Sequence, residues 1–388
     1  MNRRSRVAPH VAELPKSGIR KFFDIVAQSK DVVSLGVGEP DFDTPWHISR
    51  AAVTCLEDGG THYTSNLGTP ALRQAIARYL ERRFAAKFAW EREILVTVGV
   101  SEAIDLAIRA ICSPGDEILY HEPCFVSYAP TIRLAHAVPV CVETHVEDEF
   151  RLTVAALERR VTPKTKAILL NFPCNPTGAT LSRDDMLAIL RFAEKHDLIV
   201  LSDEVYSELN YEGAQPLNPS FASFPEYHDR VVLLNGFSKS WAMTGYRLGY
   251  ACGPVDIIDA MMKIHQYGIM SAPTLSQAAG VEAMDHGDKD VARMRREYRR
   301  RRDYLVPALN DLRLATVMPK GAFYVFADIR STGMDDETFA LKLLKEFGVA
   351  CVPGSAFGAC GAGFVRMSYA TSLEKIMIAV ERIARMLS

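Results

Sequence analysis

Between Glu93 and Gly236 the chain alternates unbroken apolar runs with segments of helical spacing, and this alternation limits the fold more than any other feature. EILVTVG is followed by SEAIDLAIRAI, DEILYHEP by a helical stretch and VPVCVET, and KAILLNFP by LSRDDMLAILRFAEKH; LIVLSDEVY and RVVLLNG complete the series. Runs such as AILL and VVLL are apolar at every position, which predicts strands covered on both faces. Strand and helix in turn therefore predict an α/β sheet with helices on either side. Ser182 and Asp185 have the spacing of a capping box at the start of one such helix. Ligands of these sheets lie beyond the carboxyl ends of the strands, and Asn175, Asp203, Tyr206 and Lys239 all fall at such ends.

Asn235–Tyr250, reading NGFSKSWAMTGYRLGY, follows the last of these runs. Lys239 stands beside Ser238, with Arg247 eight residues on. An amine can condense with an aldehyde, while a hydroxyl and a guanidinium can hold a phosphate. That combination suits a phosphate-bearing aldehyde cofactor such as pyridoxal phosphate. Four more stretches fit the same site: SLGVGEPDFDTP (34–45), NFPCNPTG (171–178), LSDEVY (201–206) and GFVRMSYATS (363–372).

In order and over essentially its whole length, the chain resembles the class I/II aminotransferases of pyridoxal-phosphate fold type I. The resemblance implies a large domain with a mainly parallel seven-stranded sheet sandwiched by helices, plus a smaller α+β domain. On this chain it implies an arm and part of the small domain over 1–48, the large domain over 49–289 and the C-terminal small domain over 290–388. Lys239 is then expected to carry the cofactor and to move the substrate's Cα proton. Asp203 keeps the cofactor's ring nitrogen protonated, because a buried carboxylate can hold that proton. Tyr206 and Asn175 reach the ring's 3′-oxygen from either side, and Phe125 in EPCFVSY stacks on the ring. Phosphate donors are the amides of Val100 and Ser101 at a helix start, the Ser238 hydroxyl and the Arg247 fork. The substrate's α-carboxylate falls to Arg366 and the Gly38 amide.

The resemblance also implies a homodimer in which Tyr63 crosses to the neighbouring cofactor's phosphate. Dicarboxylate-specific relatives bind the distal carboxylate with an arginine from the partner subunit; in KIHQYGIMSAP the aligned residue is Tyr267. The wording of KIHQYGIMSAPTLSQ, KGAFYVF and FVRMSYATSLE is most similar to N-acetyl-L,L-diaminopimelate aminotransferases, with aromatic aminotransferases next. The implied reaction moves an amino group from an L-amino acid to a 2-oxo acid such as 2-oxoglutarate. An aspartate- or alanine-type aminotransferase and a pyridoxal-phosphate-dependent C–S β-lyase are the alternatives.

The remaining features predict little beyond this. SGIRKFFDIVAQ (17–28) reads as a short amphipathic helix, Val32–Gly38 and VACVPGSAF (349–357) as strands, and Thr69-Pro70 as a helix start. Thr371 and Ser372 read as caps of the last helix, with Glu374 in its first turn. Net charge is −2, and the basic run RMRREYRRRR (293–302) reads as a solvated helix face rather than a nucleic-acid surface. The eight cysteines form no CxxC pair, show no metal spacing, and include Cys112, Cys252 and Cys351 in apolar runs. Buried free thiols in a reducing cytoplasm are expected, with no metal. No apolar run approaches the ~18 residues that cross a bilayer.

Overall fold

The computed structural model describes residues 6–14, 31–212 and 218–388. The helix expected over SGIRKFFDIVAQ lies outside them. Strand β1 (Val33–Ser34) is only two residues long. The main sheet comprises β2 (Ile94–Thr97), β3 (Glu117–Glu122), β4 (Val138–Glu143), β5 (Thr165–Asn171), β6 (Ile199–Asp203), β7 (Val231–Gly236) and β8 (Gly249–Cys252). Their spatial order is β2-β8-β7-β6-β5-β3-β4, seven strands in all. The pairs from β4 through β7 are parallel, whereas β8 runs antiparallel to both β7 and β2.

Alternate residues of β5 show why its run is apolar throughout. Ile168 and Leu170 join a core cluster with Met186, Ile189 and Leu190 of the helix Arg183–Lys195. Ala167 and Leu169 point the other way, into a cluster with Ile104, Ala107 and Ile108 of the helix Gly99–Ile111. Both faces are thus sealed, and polar groups are confined to the strand ends. The Ser182–Asp185 capping box forms in both directions, with Ser182 Oγ accepting the Asp185 amide at 3.1 Å. Thr69 caps the helix Pro70–Phe84 by accepting from the Leu72 amide at 3.3 Å. Ser372, not Thr371, caps the closing helix Leu373–Leu387.

The C-terminal part builds a three-stranded antiparallel sheet from β9 (Tyr324–Asp328), β11 (Val352–Pro353) and β12 (Phe364–Ser368), in the order β11-β12-β9. β10 (Val349–Ala350) pairs instead with β1, in parallel. VACVPGSAF is therefore not one strand: the chain changes sheets at Cys351, and Pro353, lacking an N–H, ends the second segment. The Val32–Gly38 run is likewise strand only at Val33–Ser34, because β10 offers it only two residues.

The basic run corrects the sequence reading more substantially. It lies on the helix Asp288–Asp311, and Arg299 and Arg300 are exposed as expected. Arg301 and Arg302 are buried. Arg301 donates to Asp41 at 2.8 Å and to Glu297 at 3.2 Å, and Arg302 donates to the Pro319 carbonyl at 2.8 Å. Asp41 belongs to the GEPDF segment, so the helix anchors that segment through an ion pair. Cys112 is half-buried rather than buried, since it caps a helix end, whereas Cys252 and Cys351 are fully enclosed.

Candidate active site

A cavity of about 390 Å³ opens where the ends of β5, β6 and β7 meet β9, β12 and the segment after β1. Lys239 enters it three residues beyond β7. Its Nζ donates to the Gly38 carbonyl at 2.6 Å and lies 6.0 and 5.9 Å from the ring centres of Tyr206 and Phe323. Burial lowers the amine's pKa to about 8; Glu39 opposes the shift, and Arg366 and Arg247 add to it. An amine so placed is far more often unprotonated at neutral pH than a surface lysine.

Asp203, the last residue of β6, faces the same cavity and is 4% exposed. Burial raises its pKa to about 6, against hydrogen bonds from the Tyr128 hydroxyl and the Val205 amide. Those bonds measure 2.7 and 3.2 Å, and the Asn171 side-chain amide donates to the Asp203 carbonyl at 3.0 Å. Tyr206 shares a 2.8 Å hydrogen bond with the hydroxyl of Tyr324.

Arg366 comes from the middle of β12 and is buried. Its two terminal nitrogens donate to Asn175 Oδ1 at 2.9 Å and to the Gly36 carbonyl at 2.6 Å. Nε has no partner, although it is buried. The guanidinium lies over the rings of Tyr324 and Phe357, at 4.5 and 4.8 Å. A buried charged donor without an acceptor is costly unless a ligand supplies one.

Opposite these groups, Val100 and Ser101 begin the helix Gly99–Ile111, whose first amides have no intrahelical acceptor. Gly99 has φ +75°, and a Cβ there would stand 2.8 Å from Arg247 Nη2. Gly249 on β8 is packed so closely that its Cβ would meet the Gly99 carbonyl carbon at 2.5 Å and the Val100 nitrogen at 2.6 Å. Helix start, Arg247 and Ser238 thus form a glycine-lined anion cradle on the wall of the cavity that holds Lys239. Phe125 lines the cavity as well. No group of three or more metal-ligating side chains occurs among the described residues.

Eleven of the thirteen residues singled out from the sequence line this cavity. Tyr63 and Tyr267 do not; they are 83% and 89% exposed. Their segments dock on each other, through Thr274 Oγ1 to the His62 carbonyl and Asn66 Nδ2 to the Met270 carbonyl, both at 2.7 Å. Sequence reasoning missed Tyr128, Tyr324, Asn171 and Glu39. Each lies inside a quoted segment (EPCFVSY, KGAFYVF, NFPCNPTG, SLGVGEPDFDTP), so proximity in the chain was the available signal.

Fold and site define an α/β enzyme with a largely enclosed lysine between a glycine-lined helix start beside Arg247 and the buried guanidinium of Arg366. Residues 30–383 match the model of the family aminotransferase class I and II. An aspartate aminotransferase of Pyrococcus abyssi is 46% identical, with 96% of this chain and 95% of that protein covered. Aromatic-amino-acid aminotransferase 2 of Thermococcus litoralis is 43% identical, with 96% and 95% covered. Among solved structures, aspartate aminotransferase from Thermus thermophilus with maleate matches with a TM-score of 0.93 and 39% identity, over 98% of this chain and 100% of that one. The chain belongs to the class I and II aminotransferases. It is a pyridoxal-phosphate-dependent transaminase acting on an amino acid and a 2-oxo acid.

The cradle yields a direct check. Gly249→Ala drives a methyl into the backbone of Gly99 and Val100, so affinity of the cofactor-free protein for pyridoxal phosphate falls by about 10-fold or more. Gly245→Ala, with no atom within 4 Å of its Cβ, leaves affinity unchanged. Equal affinities for the two variants would refute the cradle.

Proposed function

We propose that Lys239 carries the cofactor and moves the proton, Asp203 pairs with the ring nitrogen, and Tyr206 and Asn175 serve the ring's 3′-oxygen. Phe125 faces the ring; Val100, Ser101, Ser238 and Arg247 hold the phosphate. Arg366, with the Gly38 amide, takes the substrate's α-carboxylate. The observation that carries this reading is Lys239's largely enclosed amine in one cavity with Arg366, whose buried Nε has no partner. When bound, the cofactor supplies an electron sink for the carbanion formed at the substrate's Cα. The protein's part is to bind, orient and move protons. Arg366, whose Nε lacks an acceptor, orients the substrate by a bidentate contact. Lys239, with its lowered pKa, can take a proton at neutral pH and return it. The Asp203 carboxylate accepts a hydrogen bond and stabilises positive charge where it faces the cavity.

The domain division at 48 and 289 is supported by the β1–β10 pair, which ties the N-terminal segment to the C-terminal part. The helix Asp288–Asp311 crosses the second boundary. Eight unpaired cysteines favour a reducing cytoplasm, and no helix among the described residues is long and apolar enough to cross a membrane.

For the substrate, we favour a long acylated or aromatic amino donor with 2-oxoglutarate as acceptor. Arg247 and Arg366 are the only guanidiniums lining the cavity among the described residues, and both have assigned tasks. None remains for a donor's distal carboxylate, and Tyr267 stands where an arginine would come from the partner. A tyrosine there supplies an apolar wall with one hydroxyl. The test is a panel of amino donors read as half-reactions through the cofactor's absorbance change. A long acylated or aromatic donor exceeds aspartate in kcat/KM by at least ~10-fold, about 1.4 kcal/mol, and Lys239→Ala loses the reaction by orders of magnitude. Aspartate as best donor would overturn the substrate assignment, near-wild-type turnover of Lys239→Ala the mechanism, and ammonia with pyruvate as products would favour the β-lyase reading.

We further propose a homodimer in which Tyr63 and Tyr267 complete the partner's site. Their exposure, beside Trp46 at 71% and Ile269 at 48%, supports a covered apolar face. Sedimentation at micromolar concentration should report a dimer; a fully active monomer would refute it.

A further inference from the structure

Tyr128 stands behind the cavity wall, at the first position of the helix Tyr128–Leu134, and is wholly buried. Its hydroxyl donates to Asp203 Oδ2 at 2.7 Å. The ring packs edge-on against Phe125, with centroids 5.7 Å apart and planes at 84°. Asp203 Oδ1 accepts from the Val205 amide. One protein donor thus holds each oxygen, which fixes the carboxylate plane and leaves acceptor capacity for the cavity. We infer that Tyr128 is a positioning residue that keeps Asp203 ionised and aimed into the cavity; this rests on the pairing of Asp203 with the cofactor's ring nitrogen proposed above.

A carboxyl group buried this deeply tends toward its neutral form, and a neutral carboxyl could turn its own proton toward the cavity. A hydroxyl donor at 2.7 Å opposes both tendencies, because it binds the ionised form and occupies the oxygen that would otherwise need one. Burial dominates the Asp203 pKa, and the Tyr128 bond is the largest opposing influence, ahead of the Val205 amide and Lys239. The titratable groups around it are Lys239 beyond β7, Cys174 beyond β5, and Glu204 and Tyr206 beyond its own strand. Among the described residues, Tyr128 is the one side chain that hydrogen-bonds the carboxylate. The signal is visible in the sequence only as a tyrosine three residues after Phe125.

The alternative is structural: a buried tyrosine needs some acceptor, and Asp203 happens to be near. Tyr128→Phe separates the two, since it removes the hydroxyl and keeps the packing ring. Stripped of cofactor, this variant should bind pyridoxal phosphate about 10-fold more weakly near neutral pH. The acid limb of its binding-versus-pH curve should move to higher pH, because Asp203 then protonates more easily. In the loaded enzyme kcat falls while KM for the amino donor stays near the wild-type value, since Tyr128 does not line the cavity. Tyr128→Phe in an Asp203→Asn background should add nothing further to the affinity loss. A change in thermal stability alone, with affinity and pH curve unmoved, overturns the inference. Wild-type affinity and turnover in Asp203→Asn would take down the Asp203 assignment and this inference with it. A defective Asp203→Asn beside an unaltered Tyr128→Phe would overturn the inference alone.

Discussion

Everything about the site depends on the burial of one amine. Lys239 is drawn into a cavity of about 390 Å³ that also holds the buried Arg366 and, at its exposed edge, Arg247; the carboxylates among the described residues that line it are Glu39 and Asp203. Glu39 is exposed and bonded to the Thr244 hydroxyl, which leaves Asp203 as the one buried carboxylate among the described residues that line it, facing the two cations Lys239 and Arg366. The interior is therefore short of negative charge. Solvent cannot supply it cheaply, so a dianionic phosphate and a substrate carboxylate are the natural complements. Burial lowers the lysine's pKa, with Arg366 and Arg247 adding to the shift against Glu39, and a lower pKa is what makes the amine available for chemistry at neutral pH.

The fold's contribution is to bring distant segments to this point without exposing backbone. Apolar strands sealed on both faces leave polar groups to the strand ends, and at the carboxyl ends Asp203 and, just beyond β7, Lys239 appear. The second sheet supplies what the first cannot. β12 delivers Arg366, and the segment after β1 delivers Gly36 and Gly38, whose carbonyls hold the guanidinium and the amine. The Arg301–Asp41 ion pair fixes that segment to the helix Asp288–Asp311. The contact to Lys239 and the ion pair that anchors the segment are thus separated by only a few residues in GEPDF.

Much of this was legible in the sequence because it follows from local rules. Apolar runs and caps give the strands and helix starts, and family-like segments mark Lys239, Asp203 and Arg366. What was not legible depends on partners far away in the chain. Arg301 and Arg302 look like any other residues of a basic helix, and only the approach of Asp41 and Pro319 makes them buried. Tyr128 looks like a packing residue until β6 brings Asp203 beneath its hydroxyl. VACVPGSAF reads as one strand because periodicity is blind to a change of sheet. Tyr63 and Tyr267 carry no local mark of function, and this chain's own cavity does not use them.

The central claim is that one lysine, chosen by burial and not by mere presence in a basic surface, carries the cofactor. Incubation with pyridoxal phosphate, reduction with borohydride and peptide mapping tests it most directly. A single modified peptide containing Lys239 is the predicted result, appearing at stoichiometric cofactor and lost with Lys239→Ala. Modification spread over surface lysines such as Lys87, or concentrated on any lysine other than Lys239, would contradict the account.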